Sequence, residues 1–316
     1  MYTCPGGFYL EGNCGHLQPK KNITSTNLAL LDQKAKRGSS SNIAHQEGAW
    51  RYLVEDYTSR ELTYAEDKLA AIAGVAAKFE SGLSNFRKFS TDNRYVVGLW
   101  TESLLGDLMW ASTTEHILVP RVDRAPSWSW AGLDGAVDWR FQRLIQDCAH
   151  SKGYCEIEMS ALKISDEQKT AKQVSGSLVV SGLLVPIHGS LRRPIFTASK
   201  SFSKYNLLPE NLAPALGGRN REMQGIIDRD SNGPCWALRL CGGVPWWGGA
   251  GVFTAFVILE QAHDERGTEL SDVFRRIGIV VIFYNLDSDE YEEEKWPYLV
   301  EDRIEWAGED RRVTII

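Results

Sequence analysis

Ile277-Gly278-Ile279-Val280-Val281-Ile282-Phe283-Tyr284 is too apolar and too β-branched for a solvated loop, and too short for a membrane span. It reads as a buried strand. The same signature recurs upstream and downstream, at 155–164, 176–185, 193–197, 224–229, 235–240, 253–260 and 312–316, with Gly or Asp/Asn clusters separating many of the runs. Consecutive strands with few helical patterns between them predict antiparallel pairing, as a barrel or a sandwich. Residues 151–316 are therefore expected to form an antiparallel β domain. The insert between Thr197 and Gln224 holds Pro209, Pro214 and Gly217-Gly218, and is expected to be either disordered or a lid over one end of the sheet.

Ahead of residue 151 the period changes from two to nearly four. Trp50, Leu53, Val54 and Tyr57 fall at helical spacing, predicting a first helix over 45–57. Thr63-Tyr64-Ala65-Glu66 has the form of a capping box, followed by a stripe of Leu69, Ile72, Ala73 and Ala76, with Gly82 as a stop. Val97, Trp100, Leu104 and Leu108 predict a third helix over 95–111. Residues 45–150 thus read as a helical unit, and 1–44, rich in Gly, Ser and Lys, as a weakly structured segment. The fold class expected is α+β: an N-terminal helical unit packed on an antiparallel β-barrel or sandwich.

The 316 residues carry a formal charge of -6 with scattered basic residues, which argues against nucleic-acid binding. No apolar run reaches the ~18 residues that suggest a membrane span, and the first residues lack a secretory pattern. Cys4, Cys14, Cys148, Cys155, Cys235 and Cys241 fit no common zinc spacing. They read as reduced thiols, and the expected location is cytoplasmic.

Tryptophan is the outlier, with eleven in the chain. Two of them sit in Arg124-Ala125-Pro126-Ser127-Trp128-Ser129-Trp130-Ala131-Gly132-Leu133-Asp134-Gly135. In an extended segment residues two apart share a face, so Trp128 and Trp130 would form one aromatic wall. The segment closely resembles one found in fungal heterokaryon-incompatibility (HET) proteins, downstream of their signature domain. Trp50 with Val54-Glu55-Asp56-Tyr57-Thr58-Ser59-Arg60-Glu61-Leu62-Thr63 and Asp67-Lys68-Leu69-Ala70-Ala71-Ile72-Ala73-Gly74-Val75-Ala76 is similar to that region too. So is Tyr95-Val96-Val97-Gly98-Leu99-Trp100 with Leu104-Leu105-Gly106-Asp107-Leu108-Met109-Trp110. Weaker echoes run to about residue 280. The HET domain itself is not in this sequence, so the resemblance implies the accessory region without that domain's activity. Chains of this sort are also similar to norbornene-forming Diels–Alder cyclases of fungal terpenoid biosynthesis.

Other chemistries have little to stand on. There is no Gly-x-Ser-x-Gly elbow, and Gly248-Gly249-Ala250-Gly251 lacks the ending of a phosphate loop. The six histidines are isolated, so no metal site is expected. A pericyclic reaction needs only an apolar enclosure that selects one substrate conformer, with a donor on a carbonyl. Trp128, Trp130, Trp236, Trp246 and Trp247 would shape such a pocket, and Arg124 or Arg276 would supply the donor. The expectation is a cofactor-independent cyclase performing an intramolecular [4+2] cyclisation on an apolar terpenoid. The alternative is a non-enzymatic protein-interaction module of an incompatibility or immune protein. A packing role for Trp128 and Trp130, clamping the helical unit to the sheet, is equally consistent with their spacing.

Overall fold

The first helix, α1 (Asn42–Thr58), buries Trp50, Leu53 and Val54 and half-buries Tyr57, as the spacing predicts. In the computed structural model the described residues are 42–60, 62, 64–84, 93–113, 124–146, 148–165, 174–187, 221–228, 231, 233–245, 251–285 and 308–316. The expected capping box rests on Thr63, which lies outside the described residues. The lead-in to the second helix is Tyr64, extended and without a side-chain cap, followed by a 3-10 turn at Ala65–Asp67. Glu66 and Asp67 occupy that turn, where the helix dipole favours carboxylates. α2 (Lys68–Ser84) then buries Leu69, Ile72 and Ala76, leaves Ala73 exposed, and continues past Gly82.

No helix spans 95–111. That stretch is a hairpin of β1 (Tyr95–Val96) and β2 (Leu99–Trp100), then the single turn α3 (Leu104–Asp107), then β3 (Ala111–Ser112). The cause is local: Val97 and Gly98 take φ of 47° and 94°, the left-handed region that ends a helix. Val97, Trp100, Leu104 and Leu108 are nonetheless all buried. A hairpin and one helical turn satisfy the same apolar spacing as a continuous helix.

Asp107 organises this segment. Its carboxylate accepts from Arg51 Nε at 2.8 Å, Ser103 Oγ at 2.7 Å and the Trp100 amide at 3.2 Å. Burial pushes its pKa up, while Arg51 and those donors pull it down. Asp107→Ala is expected to lower stability by about 3 kcal/mol, the scale for breaking a buried ion pair, measured by urea unfolding. β3 pairs with β4 (Val137–Asp138), and α4 (Arg140–Gln146) leads into the large sheet.

That sheet contains β5 (Cys148–Gly153), β6 (Cys155–Ile157), β7 (Lys163–Ile164), β8 (Gly176–Ile187), β9 (Arg221–Ile227), β10 (Cys235–Pro245), β11 (Gly251–His263), β12 (Glu269–Asn285) and β13 (Glu309–Ile315). The predicted strand over 155–164 is split by a 3-10 turn at Met159–Ala161. The strand predicted at 193–197 and most of the Thr197–Gln224 insert lie outside the described residues. The pairings run β10, β11, β12, β13, β8, and β8 also pairs with β10, so the path returns to its start. One pair departs from the antiparallel expectation: β12 and β13 run parallel, with Val273 opposite Thr314 and Phe274 opposite Ile315.

Leu238 and Leu240 of β10, Phe253, Ala255, Val257 and Leu259 of β11, and Ile279 and Val281 of β12 face one core. So do Val313 and Ile315 of β13, and Trp50, Trp100 and Trp110 of the N-terminal unit belong to the same cluster. The alternate residues Thr254, Phe256, Ile258, Val280 and Ile282 are buried as well. Burial on both faces explains why these strands read as continuous apolar runs. The fold is α+β with mostly strand content. Among the described residues no helix is long and apolar enough to cross a membrane.

Candidate functional site

The Trp-Ser-Trp segment is a joint between the N-terminal unit and the sheet. It is not a continuous strand, because Trp130–Gly132 form a 3-10 turn capped by Ser129, whose Oγ accepts from the Ala131 amide and donates to Val97 O at 2.6 Å. Trp128 and Trp130 are each 0 % exposed. The Trp130 indole N–H donates to Gly98 O at 2.9 Å, and the Trp50 indole reaches the same oxygen at 3.0 Å. Gly98 must lack a side chain here, since a Cβ would sit 2.6 Å from Trp130 Nε1. Trp110 Nε1 donates to Trp128 O at 3.0 Å, and the Trp128 ring lies against Gly176 at the start of β8.

Arg124 is 4 % exposed, with every donor nitrogen directed at the protein itself. Nε bonds Ala131 O at 2.7 Å, Nη2 bonds Leu133 O at 2.9 Å, and Nη1 bonds Ala65 O at 2.9 Å and Asp134 Oδ1 at 2.7 Å. It ties the lead-in to α2 to the turn after the joint. Ser127 stitches the joint to the sheet: its amide and hydroxyl donate to Ile316 O, and its Oγ accepts from the Arg276 amide at 2.9 Å.

Arg276 completes the stitch from the other side. Its guanidinium pairs with Asp228 at 2.5 Å, donates to Trp110 O, and stacks 3.5 Å from the Trp110 ring centroid. The second oxygen of Asp228 accepts from the Ser112 amide at 2.9 Å. Burial lowers the Arg276 pKa, and Asp228 opposes this. Trp236 is half-buried and packs edge-on against Phe274 at 5.2 Å. Trp246 and Trp247 lie outside the described residues, and their flanking strands end at Pro245 and begin at Gly251. The structure thus brings Arg124, Trp128, Trp130 and Arg276 together, as packing between two parts of one core.

Two features carried no signal in the residue pattern. Lys68 is buried, with Nζ 2.5 Å from Leu133 O and 5.3 Å from the Trp130 ring centroid. Burial first, then Arg124, bring its pKa down to about 7, against the pull of Asp134. Tyr57 Oη donates to Lys68 O at 2.6 Å, and burial raises the Tyr57 pKa.

The other feature is an open groove of about 590 Å³ where the chain turns from β5 to β6 beside β8 and β13. Lys152, Tyr154, Glu156, Asp310, Arg311 and Arg312 line it. Arg312 forks onto Glu158 at 2.6 and 2.9 Å and holds that carboxyl below its usual pKa. Arg311 pairs with Asp272, and the Arg239 guanidinium stacks 3.5 Å over the Tyr154 ring. This lining mixes charged side chains of both signs with Gly153, Cys155 and Gly182, and contains no indole. Among the described residues no cluster of three or more His, Cys, Asp or Glu could hold a metal, and Cys155 is a free thiol. No protein-family profile, curated protein or solved structure matches the chain.

Proposed function

We propose that this chain is a cytoplasmic, non-enzymatic protein-interaction module of the heterokaryon-incompatibility type, similar to the region that follows the HET domain. The observation that carries this reading is where the candidate groups point. Arg124 and Arg276 bond backbone carbonyls and carboxylates of the chain itself, and the Trp128 and Trp130 rings are enclosed. These residues hold a scaffold. The charged groove offers both signs of charge on a rigid sheet, a surface suited to a polar protein segment. The ring of pairings through β8, β10, β11, β12 and β13 supports reading the β portion as a small barrel.

Photo-crosslinking from position 154 in a fungal host is the test. It is expected to capture a discrete protein partner, and Lys152→Glu with Arg311→Glu is expected to abolish capture. Crosslinks unchanged by the charge reversal, or none at all, would contradict the reading.

A second reading is a cofactor-independent cyclase acting on an apolar terpenoid by an intramolecular [4+2] reaction. Trp236 favours it, as a half-buried indole beside Phe274 that keeps accessible surface. Purified protein would then speed cyclisation of the linear polyene precursor without added cofactor, and equal rates with and without protein would sink it.

A further inference from the structure

Lys68 Nζ and Arg124 Nη2 both donate to the carbonyl oxygen of Leu133, at 2.5 and 2.9 Å. Two cations are therefore held within two hydrogen-bond lengths of each other, both almost wholly out of water. The groups around them offset this only in part, since burial and Arg124 outweigh the pull of Asp134 on the Lys68 amine. Asp134, from the turn after the joint, pairs with Arg124 and is 37 % exposed. Tyr57, from α1, contributes a neutral hydroxyl to the Lys68 backbone carbonyl. Asp67, the neighbour of Lys68, is half-buried in the preceding 3-10 turn.

A guanidinium cannot give up its proton inside a protein, whereas an amine can. Of the two crowded groups, Lys68 is the one able to discharge. We propose that Lys68 is a proton-operated latch: with its amine neutral, the start of α2 is held on the Trp-Ser-Trp joint, and on taking up a proton that segment is released toward water. The direction follows from linkage. The Lys68 pKa in the closed state is about 7, below the ordinary value of about 10.4 in the open one. The stabilisation is therefore full above the open-state value, declines as pH falls, and is gone below the closed-state value.

Hydrogen exchange of the first-turn amides of α2, corrected for intrinsic rates, tests this between pH 9 and pH 7. One linked proton predicts that the local opening constant rises about tenfold for each unit of acidification. Lys68→Met is expected to flatten that slope, and Lys68→Arg to open as readily at pH 9 as the native protein does at pH 7. The same slope in Lys68→Met would overturn the proposal. Should the variants fail to fold, NMR titration of the Lys68 side chain in the native protein decides: titration near neutrality supports the latch, and titration near 10.4 overturns it.

Discussion

Asp228→Ala is expected to destabilise the protein by about 3–5 kcal/mol, the range for removing one partner of a buried ion pair. The side chains of Arg276 and Asp228 are 0 % and 3 % exposed, so water cannot replace the lost carboxylate without the core opening. The Ser112 amide loses its acceptor at the same time. Against a typical stability of about 5–15 kcal/mol this is a large fraction, and the midpoint of thermal unfolding should fall by on the order of 10 °C. Replacing both partners by apolar residues, Asp228→Leu with Arg276→Met, should recover much of the loss, because no stranded charge remains. If Asp228→Ala instead unfolds like the native protein, the pair does not hold the N-terminal unit to the sheet.

Gly98→Ala should be the other severe change. The position combines φ of 94° with a Cβ site 2.6–2.9 Å from three atoms of the Trp130 indole, itself fully buried. Backbone strain of about 1–3 kcal/mol and overpacking of about 1–3 kcal/mol act together, and displacing Trp130 also breaks its bond to Gly98 O. A control makes the claim specific. A Cβ at Gly74, on the exposed side of α2, would meet nothing within 4 Å, so Gly74→Ala should be neutral or stabilise by up to about 1 kcal/mol. Urea unfolding of the two variants is expected to shift in opposite directions, or for Gly98→Ala alone. Equal midpoints would mean that the hairpin tolerates a side chain beside Trp130.

The strands were legible because burial on both faces leaves a continuous apolar signature, as at Phe253–Glu260 within β11. Their order was not, because pairings such as Ser181 with Arg312 join residues far apart in the chain, and nothing local encodes them. The helix expected over 95–111 failed at a single dipeptide, Val97-Gly98, whose left-handed backbone serves a tertiary purpose: presenting one carbonyl to two indoles.

At the candidate site, Arg124, Trp128, Trp130 and Arg276 are packed into one joint. The reading of Arg124 and Arg276 as substrate donors could not anticipate their acceptors, because these are mostly backbone carbonyls that any residue supplies. Lys68 is a plain lysine at a helix start, and only packing against Trp130 and Arg124 sets it apart.

The Trp-Ser-Trp joint is an enclosed clamp between the N-terminal unit and the sheet. Hydrogen exchange of the indole N–H groups, read by NMR after labelling tryptophan with nitrogen-15, tests it most directly. Trp50, Trp110 and Trp139 are expected to exchange only through global unfolding, and to accelerate together in Asp228→Ala. Trp130, which the Lys68 latch uncovers, is expected to match them at pH 9 in the Lys68→Met background. Resonances of Trp128 or Trp130 that shift on adding an apolar ligand, or exchange freely in that background, would contradict the clamp and return both indoles to the wall of a binding pocket.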